Sequence, residues 1–341
     1  MDWVKALSPK LGSISSVSEK KLGSLWAGYG FVSRLIVKPQ QQSYIAKQVR
    51  PPPNGKGVGH ERKVHSYEVE CSWYSGPAQY AASAGVNIPL PVLVEKDGSG
   101  FTIVLKDLEP DFPNKSMKGA MGVKELKPAL EWLARFHSAF WSSPASQQRP
   151  STESLWPQGT FWHLGTRMEE FDSMDSDDWL RDKAHEIDAR LRGFSSFAAL
   201  QAGETPSNQH QTLVHGDFKA ANLLFSSNST EAAAYDFQYV GRGLGALDVA
   251  YLIICSSSLP VVEQSEDELL AHYHHHLMSC LDARGQSDKS YTMEVLRMHY
   301  DLATLDLFRF MRGWGWWGAI PSSRGDEYAR KIGARVFGKH L

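Results

Sequence analysis

Apolar and polar positions alternate in short steps through the first third of this chain and recur at helical spacing through much of the rest. Val32 to Lys38 reads as a strand, and Ser43-Tyr-Ile-Ala-Lys-Gln-Val49 alternates as one. Gly100 to Leu108 is an apolar run that predicts a buried strand. Between them residues 61–84 are helix-capable. Leu126 to Trp141 carries Leu130, Leu133, Ala134 and His137 at helical spacing, so His137 is expected in the core rather than in chemistry. Phe161 to Leu191 predicts a further helical pair. Three short apolar runs follow, Thr212–Val214, Leu223–Phe225 and Ala232–Tyr235, each read as a strand. Tyr300 to Trp317 is a late helical stretch with a Leu and Phe face and several tryptophans. Polar, Pro-containing stretches at 143–157 and 203–211 read as connections. Residues 1 to about 20 and Pro51-Pro-Pro-Asn-Gly-Lys-Gly57 are expected to be mobile.

The short strands flank the most specific stretch, Leu213-Val-His-Gly-Asp-Phe-Lys-Ala-Ala-Asn-Leu-Leu-Phe225, followed by Tyr235-Asp-Phe-Gln238. Asp217 is followed by Asn222 after four intervening residues, and Asp236 ends the next apolar run. Magnesium takes oxygen ligands and usually only one or two carboxylates besides phosphates. One Asn carbonyl and one Asp carboxylate meet that demand, and a separate carboxylate stays free to face an acceptor hydroxyl. Phosphoryl transfer rests mainly on positioning and electrostatics, so such groups need rigid supports, which the flanking strands supply. The layout is that of a kinase catalytic loop, with Asp217 as the catalytic carboxylate and Asn222 and Asp236 as the Mg2+ ligands beside ATP.

On these residues the chain resembles the aminoglycoside phosphotransferase and choline kinase group, and within it the ecdysteroid-kinase-like (CHK kinase-like) branch. His215-Gly-Asp217 stands where protein kinases have His-Arg-Asp, and Asp236-Phe-Gln238 replaces Asp-Phe-Gly. Leu247-Asp-Val-Ala-Tyr251 is similar to the segment whose Asp braces the catalytic loop, which implies that role for Asp248, with His215 as further support. The looser similarity spans roughly residues 20 to 330. It implies an α+β, bilobal, protein-kinase-like fold. A small β-rich lobe at 1–107 would bind ATP, and a larger, mainly helical lobe at 108–341 would hold the catalytic groups and the acceptor.

The departures narrow the acceptor. Gly216 replaces the Arg that pairs with a phosphorylated activation loop. Only eleven residues, several of them Gly, separate Asp236 from Asp248, too few for a peptide-docking segment. A small hydroxylated molecule is therefore expected rather than a protein.

In the first lobe, Gly28 and Gly30 of Leu25-Trp-Ala-Gly-Tyr-Gly-Phe31 permit close approach of backbone to phosphates, although a plain hairpin turn fits them as well. Ser43 to Val49 resembles the Val-Ala-Ile-Lys strand, which makes Lys47 the phosphate-contacting lysine. Ser66-Tyr-Glu-Val-Glu-Cys-Ser-Trp-Tyr74 resembles the segment carrying its carboxylate partner. Glu70 is the choice and Glu68 the alternative, since residues two apart cannot share a helix face. The hinge is expected at Leu105, Lys106, Asp107 and Leu108, with backbone contacts to adenine.

Lys219, two residues past Asp217, is a second catalytic candidate, able to meet the migrating phosphoryl group, although a solvent-facing loop lysine fits it equally. In the resembled families late helices roof the acceptor. Asp301, Asp306, Arg309, Trp314, Trp316 and Trp317 are therefore acceptor candidates, with Trp162, His163 and Arg167 able to approach it. For most of the tryptophans, packing is the favoured expectation. The mixture of Asp301 and Asp306 with Arg309 and Arg312 is too balanced for a polycationic aminoglycoside, which is kept as an alternative beside a nucleotide-binding pseudokinase.

Composition adds exclusions. The chain has 341 residues with 36 basic and 38 acidic side chains, a balance that offers no footprint for nucleic acid. No apolar run reaches the length of a membrane span, and the start lacks a signal-peptide core. Cys71, Cys255 and Cys280 are scattered, as in a reducing, cytoplasmic setting. His272-Tyr-His-His-His276 places two histidines four apart on a helix. With no His-Glu-x-x-His pattern and no third ligand nearby in sequence, it is expected to be an ordinary helix face.

Overall fold

The early alternation forms an antiparallel sheet of β1 (Ser16–Ser24), β2 (Gly30–Lys38), β3 (Gln42–Val49), β4 (Pro91–Asp97) and β5 (Gly100–Lys106), ordered β1-β2-β3-β5-β4 in the computed structural model. The structure describes residues 1–115, 121–142 and 149–338, so part of the expected 143–157 connection lies outside the described residues. Along β2 every second residue, Ser33, Leu35 and Val37, is buried. Lys47 pairs with Val32 on one side and Ile103 on the other, which sets it at the sheet's centre.

The amino-terminal expectation is corrected. Residues 3–11 form α1 (Trp3–Leu11), capped by the Asp2 carboxylate, which accepts from Lys5 N at 3.1 Å. Its Trp3 and Leu7 pack on Leu35, Val37, Tyr44, Ala46, Leu93 and Val104. Strand β1 exposes nearly every side chain, so it has no buried face to announce it in sequence and is defined by pairing with β2. Glu19 on this strand accepts from Trp3 Nε1 at 2.8 Å and from Ser33 Oγ at 2.6 Å, which ties α1 to the sheet.

The helix-capable stretch after the sheet's third strand divides into α2 (Val58–Ser75) and α3 (Pro77–Ser83). Pro77 lacks an N–H and suits the first helical position, so the break falls before it. Beyond the sheet come β6 (Asn114–Lys115), α4 (Val123–Phe140), α5 (Met168–Asp172), α6 (Trp179–Leu191), α7 (Phe197–Gln201), β7 (Gln211–Val214), β8 (Leu223–Phe225), β9 (Ala232–Ala234), β10 (Gly241–Leu244), α8 (Ala246–Ser256), α9 (Leu259–Ala283), α10 (Met293–Trp314) and α11 (Ser322–Phe337). The α4 stripe of Leu126, Leu130, Leu133 and His137 is buried, and α4 lies along α9. Helix α8 is buried on nearly all sides and packs on α10, making the centre of the helical region. No helix among the described residues is long and apolar enough to cross a membrane.

Two buried histidines tune the stability of this helical core. Burial, aided by Arg309, holds His163 down at about 3, and burial holds His299 down at about 3 as well. Both are neutral in the fold, whereas an unfolded histidine titrates near 6.5. The unfolded chain binds more protons below that value, so stability is retained above about pH 6.5 and lost as pH falls. A drop from about pH 7.5 to about pH 5.5 is expected to cost about 1.4 kcal/mol per histidine, so about 2.7 kcal/mol for the pair. Denaturant unfolding at both pH values checks this, since His163→Gln/His299→Gln should lose that much less than wild type. An unchanged pH dependence would refute it.

Candidate active site

Strand β7 delivers His215, Gly216 and Asp217 to the centre of the molecule, and the first turn of α8 grips them. Asp248, fully buried, accepts from His215 N at 2.6 Å and from Gly216 N at 2.9 Å. His137 from α4 lies 3.2 Å away through Nε2 and takes the Tyr273 hydroxyl of α9 at Nδ1, at 2.8 Å. The loop's own histidine is fixed too: Nδ1 accepts from Asp217 N at 3.3 Å, which leaves Nε2 to donate to Tyr235 O at 3.1 Å. Gly216 has φ +81°, and a Cβ there would sit 2.2 Å from Tyr239 O, so the sharp bend admits no side chain. Beneath the loop Phe218 stacks on Trp132 at 5.0 Å, and Phe237 stacks on Trp73 of α2 at 4.6 Å. Each such pair is worth about 0.5–1.5 kcal/mol beyond area burial, so the loop rests on a stiff aromatic floor.

Asp217 projects from this support. Lys219 Nζ lies 2.8 and 2.9 Å from its two oxygens. Asn222 Nδ2 donates to the Asp217 carbonyl at 2.8 Å and to its carboxylate at 3.0 Å, and Tyr251 of α8 lies beside that carboxylate. Burial raises the Asp217 carboxyl above its ordinary range, against the opposing pull of Lys219.

The β8–β9 hairpin pairs Leu223 with Ala234, so Asn222 and Asp236 leave it at the same end. Asp236 has φ +73°, a conformation that costs a non-glycine residue on the order of 1–3 kcal/mol and persists only where its surroundings hold it. Two contacts do so: Lys47 Nζ at 2.9 Å and Gln238 Nε2 at 2.6 Å. Lys47 also meets Glu70 Oε2 at 2.6 Å. Burial opposes the Lys47 charge, but Asp236 and Glu70 outweigh it and hold the ammonium protonated. Burial likewise works against Asp236, and Lys47 with Gln238 nevertheless holds its carboxyl well below the usual range. Glu68 points elsewhere, to Lys96 and His65. With its amide nitrogen engaged, Asn222 offers a carbonyl oxygen, and Asp236 offers the carboxylate oxygen that Lys47 and Gln238 leave unbonded. That all-oxygen donor set fits a hard divalent cation such as Mg2+.

Above these groups lies a cavity of about 290 Å3 lined by Leu25, Val32, Ile45, Leu105, Leu224 and Tyr235, with Lys47, Glu70 and Asp236 at its inner end. Leu105, Lys106, Asp107 and Leu108 form its edge. Lys106 N donates to Leu90 O and Asp107 N to Ser43 O, whereas no described residue accepts from Leu108 N. Gly30 has φ +135°, and a Cβ there would strike Gln48 O, so its glycine serves packing against β3; a Cβ at Gly28 would meet open space.

The late-helix candidates separate. Asp301 is bound by Arg335 at 2.6 and 2.7 Å, and Arg335 lines a groove between α9, α10 and α11. Asp306 is tied to Arg309 at 2.7 Å, and Arg309 also donates to Trp162 O. Trp316 packs on Phe308, whose ring also meets Tyr328. Trp317 and Trp314 instead join a wall leading toward Asp217. Phe310 contacts both, Phe161 contacts Phe310 and Tyr251, and Lys219 Nζ lies 5.9 Å from the Phe161 ring. The Arg167 guanidinium lies over Phe161, Phe310 and Trp314 at 5.2–5.5 Å, and Trp314 is 56% exposed. His163 is buried.

Several contributors escaped the sequence reading. Gln238 links Asp236 to Ser66 and Lys63 on α2, at 3.1 and 3.2 Å. Lys63 lies seven residues before Glu70, two helical turns along the same face, a usable signal. Tyr251 lies three residues after Asp248 on α8, again on one face. Arg34, two residues past Val32 on β2, bonds Asp107 at 2.7 Å and pairs with Glu109 at the cavity rim.

Among solved structures, an amicoumacin kinase in complex with AMP-PNP, Ca2+ and Ami is similar to this chain at TM-score 0.53 and 16% identity, covering 94% of this chain and 88% of that one. That likeness shows the shared protein-kinase-like fold. An aminoglycoside-3'-phosphotransferase of type VIII aligns at TM-score 0.42 and 15% identity over 98% of both chains. A Plasmodium vivax ethanolamine kinase aligns at 0.43 and 11% over 94% of this chain and 82% of its own. No curated protein sequence matches the chain. The model of the ecdysteroid kinase-like family matches residues 37–285, and the chain belongs to that family.

Proposed function

We propose that this small-molecule kinase transfers the ATP γ-phosphoryl group to the hydroxyl of a neutral acceptor with a broad apolar face. The convergence of Lys47, Glu70 and Asp236 at one end of the cavity, with Asn222 leaving the β8–β9 hairpin beside Asp236 and bonded to Asp217, carries this reading. Residues 1–107 form the nucleotide lobe in this proposal, and residues 108–341 the catalytic and acceptor lobe. Adenine lies between Ile45 and Leu224, with the free Leu108 N–H as a donor to its ring. Lys47, steadied by Glu70, contacts the phosphates beneath the turn carrying Gly28 and Gly30. Asn222 and Asp236 would hold Mg2+, which when bound neutralises phosphate charge. Asp217 orients the acceptor hydroxyl and takes its proton as the new P–O bond forms, and Lys219 offsets charge beside it. The free thiols Cys71, Cys255 and Cys280 accord with a cytoplasmic setting.

The aromatic wall favours a neutral acceptor. It carries Arg167, paired with Glu170, and Lys219, paired with Asp217, while Asp301 and Asp306 are neutralised by Arg335 and Arg309. A polycation would find none of these carboxylates spare to pair with it. ADP release with Mg2+-ATP, measured against ring-rich neutral alcohols, choline-like amines and aminoglycosides, is expected to give a kcat/KM for the neutral class at least about 100-fold above that for polycations. Preference for an aminoglycoside would overturn the acceptor assignment. ATP binding without turnover on any alcohol would favour a nucleotide-binding module.

A further inference from the structure

On the α4–α9 contact, three potential ligands converge that do not line the cleft. His272 and His276 stand one turn apart on α9, with ring centroids 4.4 Å apart. Glu131 of α4 meets both: Oε1 lies 3.1 Å from His272 Nε2 and 3.7 Å from His276 Nε2. One donor atom from each of the three falls within 4.8 Å of the others. Four ligands about 2.0–2.1 Å from a tetrahedral zinc ion are about 3.3 Å apart, so the observed spacings bracket what such an ion requires. We propose that Glu131, His272 and His276 form a Zn2+ site, with water in the fourth position, that staples α4 to α9.

Chemistry and placement support the assignment. Two imidazoles and a carboxylate suit zinc, and all three side chains are partly buried, at 24%, 19% and 35% exposure for Glu131, His272 and His276. Glu268, one turn before His272, is paired with Lys127. The Arg135 guanidinium, 3.7 Å from the other Glu131 oxygen, opposes a cation and sets the affinity below that of a fully acidic site. The staple would act on the helices that hold the catalytic loop. His137 lies six residues past Glu131, and Tyr273 directly follows His272; Tyr273 bonds His137, which in turn bonds Asp248. The sequence hides the site because Glu131 is 141 residues from His272.

Co2+ is a direct probe, because nitrogen-ligated Co2+ of low coordination number absorbs far more strongly in the visible than Co2+ held by oxygen atoms and water. Titrating the full chain should give a d–d band at one equivalent that Zn2+ bleaches. Glu131→Gln, His272→Gln and His276→Gln are each expected to weaken Co2+ binding at least tenfold, while His275→Gln, one position round the helix, leaves it unchanged. Zn2+ should also raise the unfolding temperature of wild type but not of His276→Gln. A band absent from wild type, retained in all three ligand variants, or lost equally in His275→Gln would overturn the site. Apo unfolding temperatures of the variants confirm that they fold.

Discussion

Asp217→Asn is expected to lower kcat by about 10²–10⁴-fold while ATP affinity stays within a factor of about three. The loss corresponds to about 3–5 kcal/mol of transition-state stabilisation. The substitution keeps the shape of the side chain and its ability to accept from Lys219, so the loop should stand. What it removes is the carboxylate proposed to accept the hydroxyl proton. Burial already holds the Asp217 carboxyl above its ordinary range, which makes it a better base than an exposed Asp. Lys219→Met separates the two neighbours, and a loss smaller than that of Asp217→Asn is expected if Lys219 only offsets charge. Single-turnover kinetics on an accepted alcohol, beside equilibrium ATP binding, makes the measurement. Retention of more than about a tenth of wild-type kcat in Asp217→Asn would remove the role, since a tenfold loss is only about 1.4 kcal/mol.

How much of this was legible in the sequence follows from how far apart the partners lie. Asp217, Asn222 and Asp236 fall within one loop and hairpin, so their spacing alone predicts convergence, and the family assignment accords with it. Helix phase decides between Glu70, buried against Lys47, and Glu68, turned to Lys96; periodicity says that both cannot face the lysine, but not which does. Strand β1 was illegible because an exposed edge strand with polar side chains lacks the alternation that reports a buried face. The aromatic wall joins Phe161 to Phe310 and Trp314 across about half the chain, and no local pattern records such a contact. Asp301 resembles an acceptor residue in sequence, yet Arg335, 34 positions later, claims both its oxygens. Long-range pairing, rather than local propensity, settled each of these cases.

Asp248→Asn should damage both stability and turnover, although Asp248 touches neither nucleotide nor acceptor in this arrangement. Its two oxygens each accept from one backbone N–H of the catalytic loop, and His137 adds a third donor. An amide can present only one oxygen, so its NH2 would face a buried N–H, donor against donor. Each orphaned buried donor costs about 1–3 kcal/mol, and breaking a buried charge-assisted set about 3–5 kcal/mol, a large share of a typical total stability of about 5–15 kcal/mol. The loop then loses the grip that orients Asp217, and kcat of the folded fraction is expected to fall at least 100-fold, with ATP binding weakened far less because Lys47 and Glu70 sit on other elements. His137→Gln is the graded control. It exchanges the fixed imidazole donor for a flexible amide one and leaves both backbone bonds, so its cost should be smaller in both measurements. Denaturant midpoints and kcat at matched folded fraction test the order wild type, His137→Gln, Asp248→Asn. An Asp248→Asn enzyme within about 1 kcal/mol of wild type and with kcat intact would show that the loop is held by its aromatic floor instead.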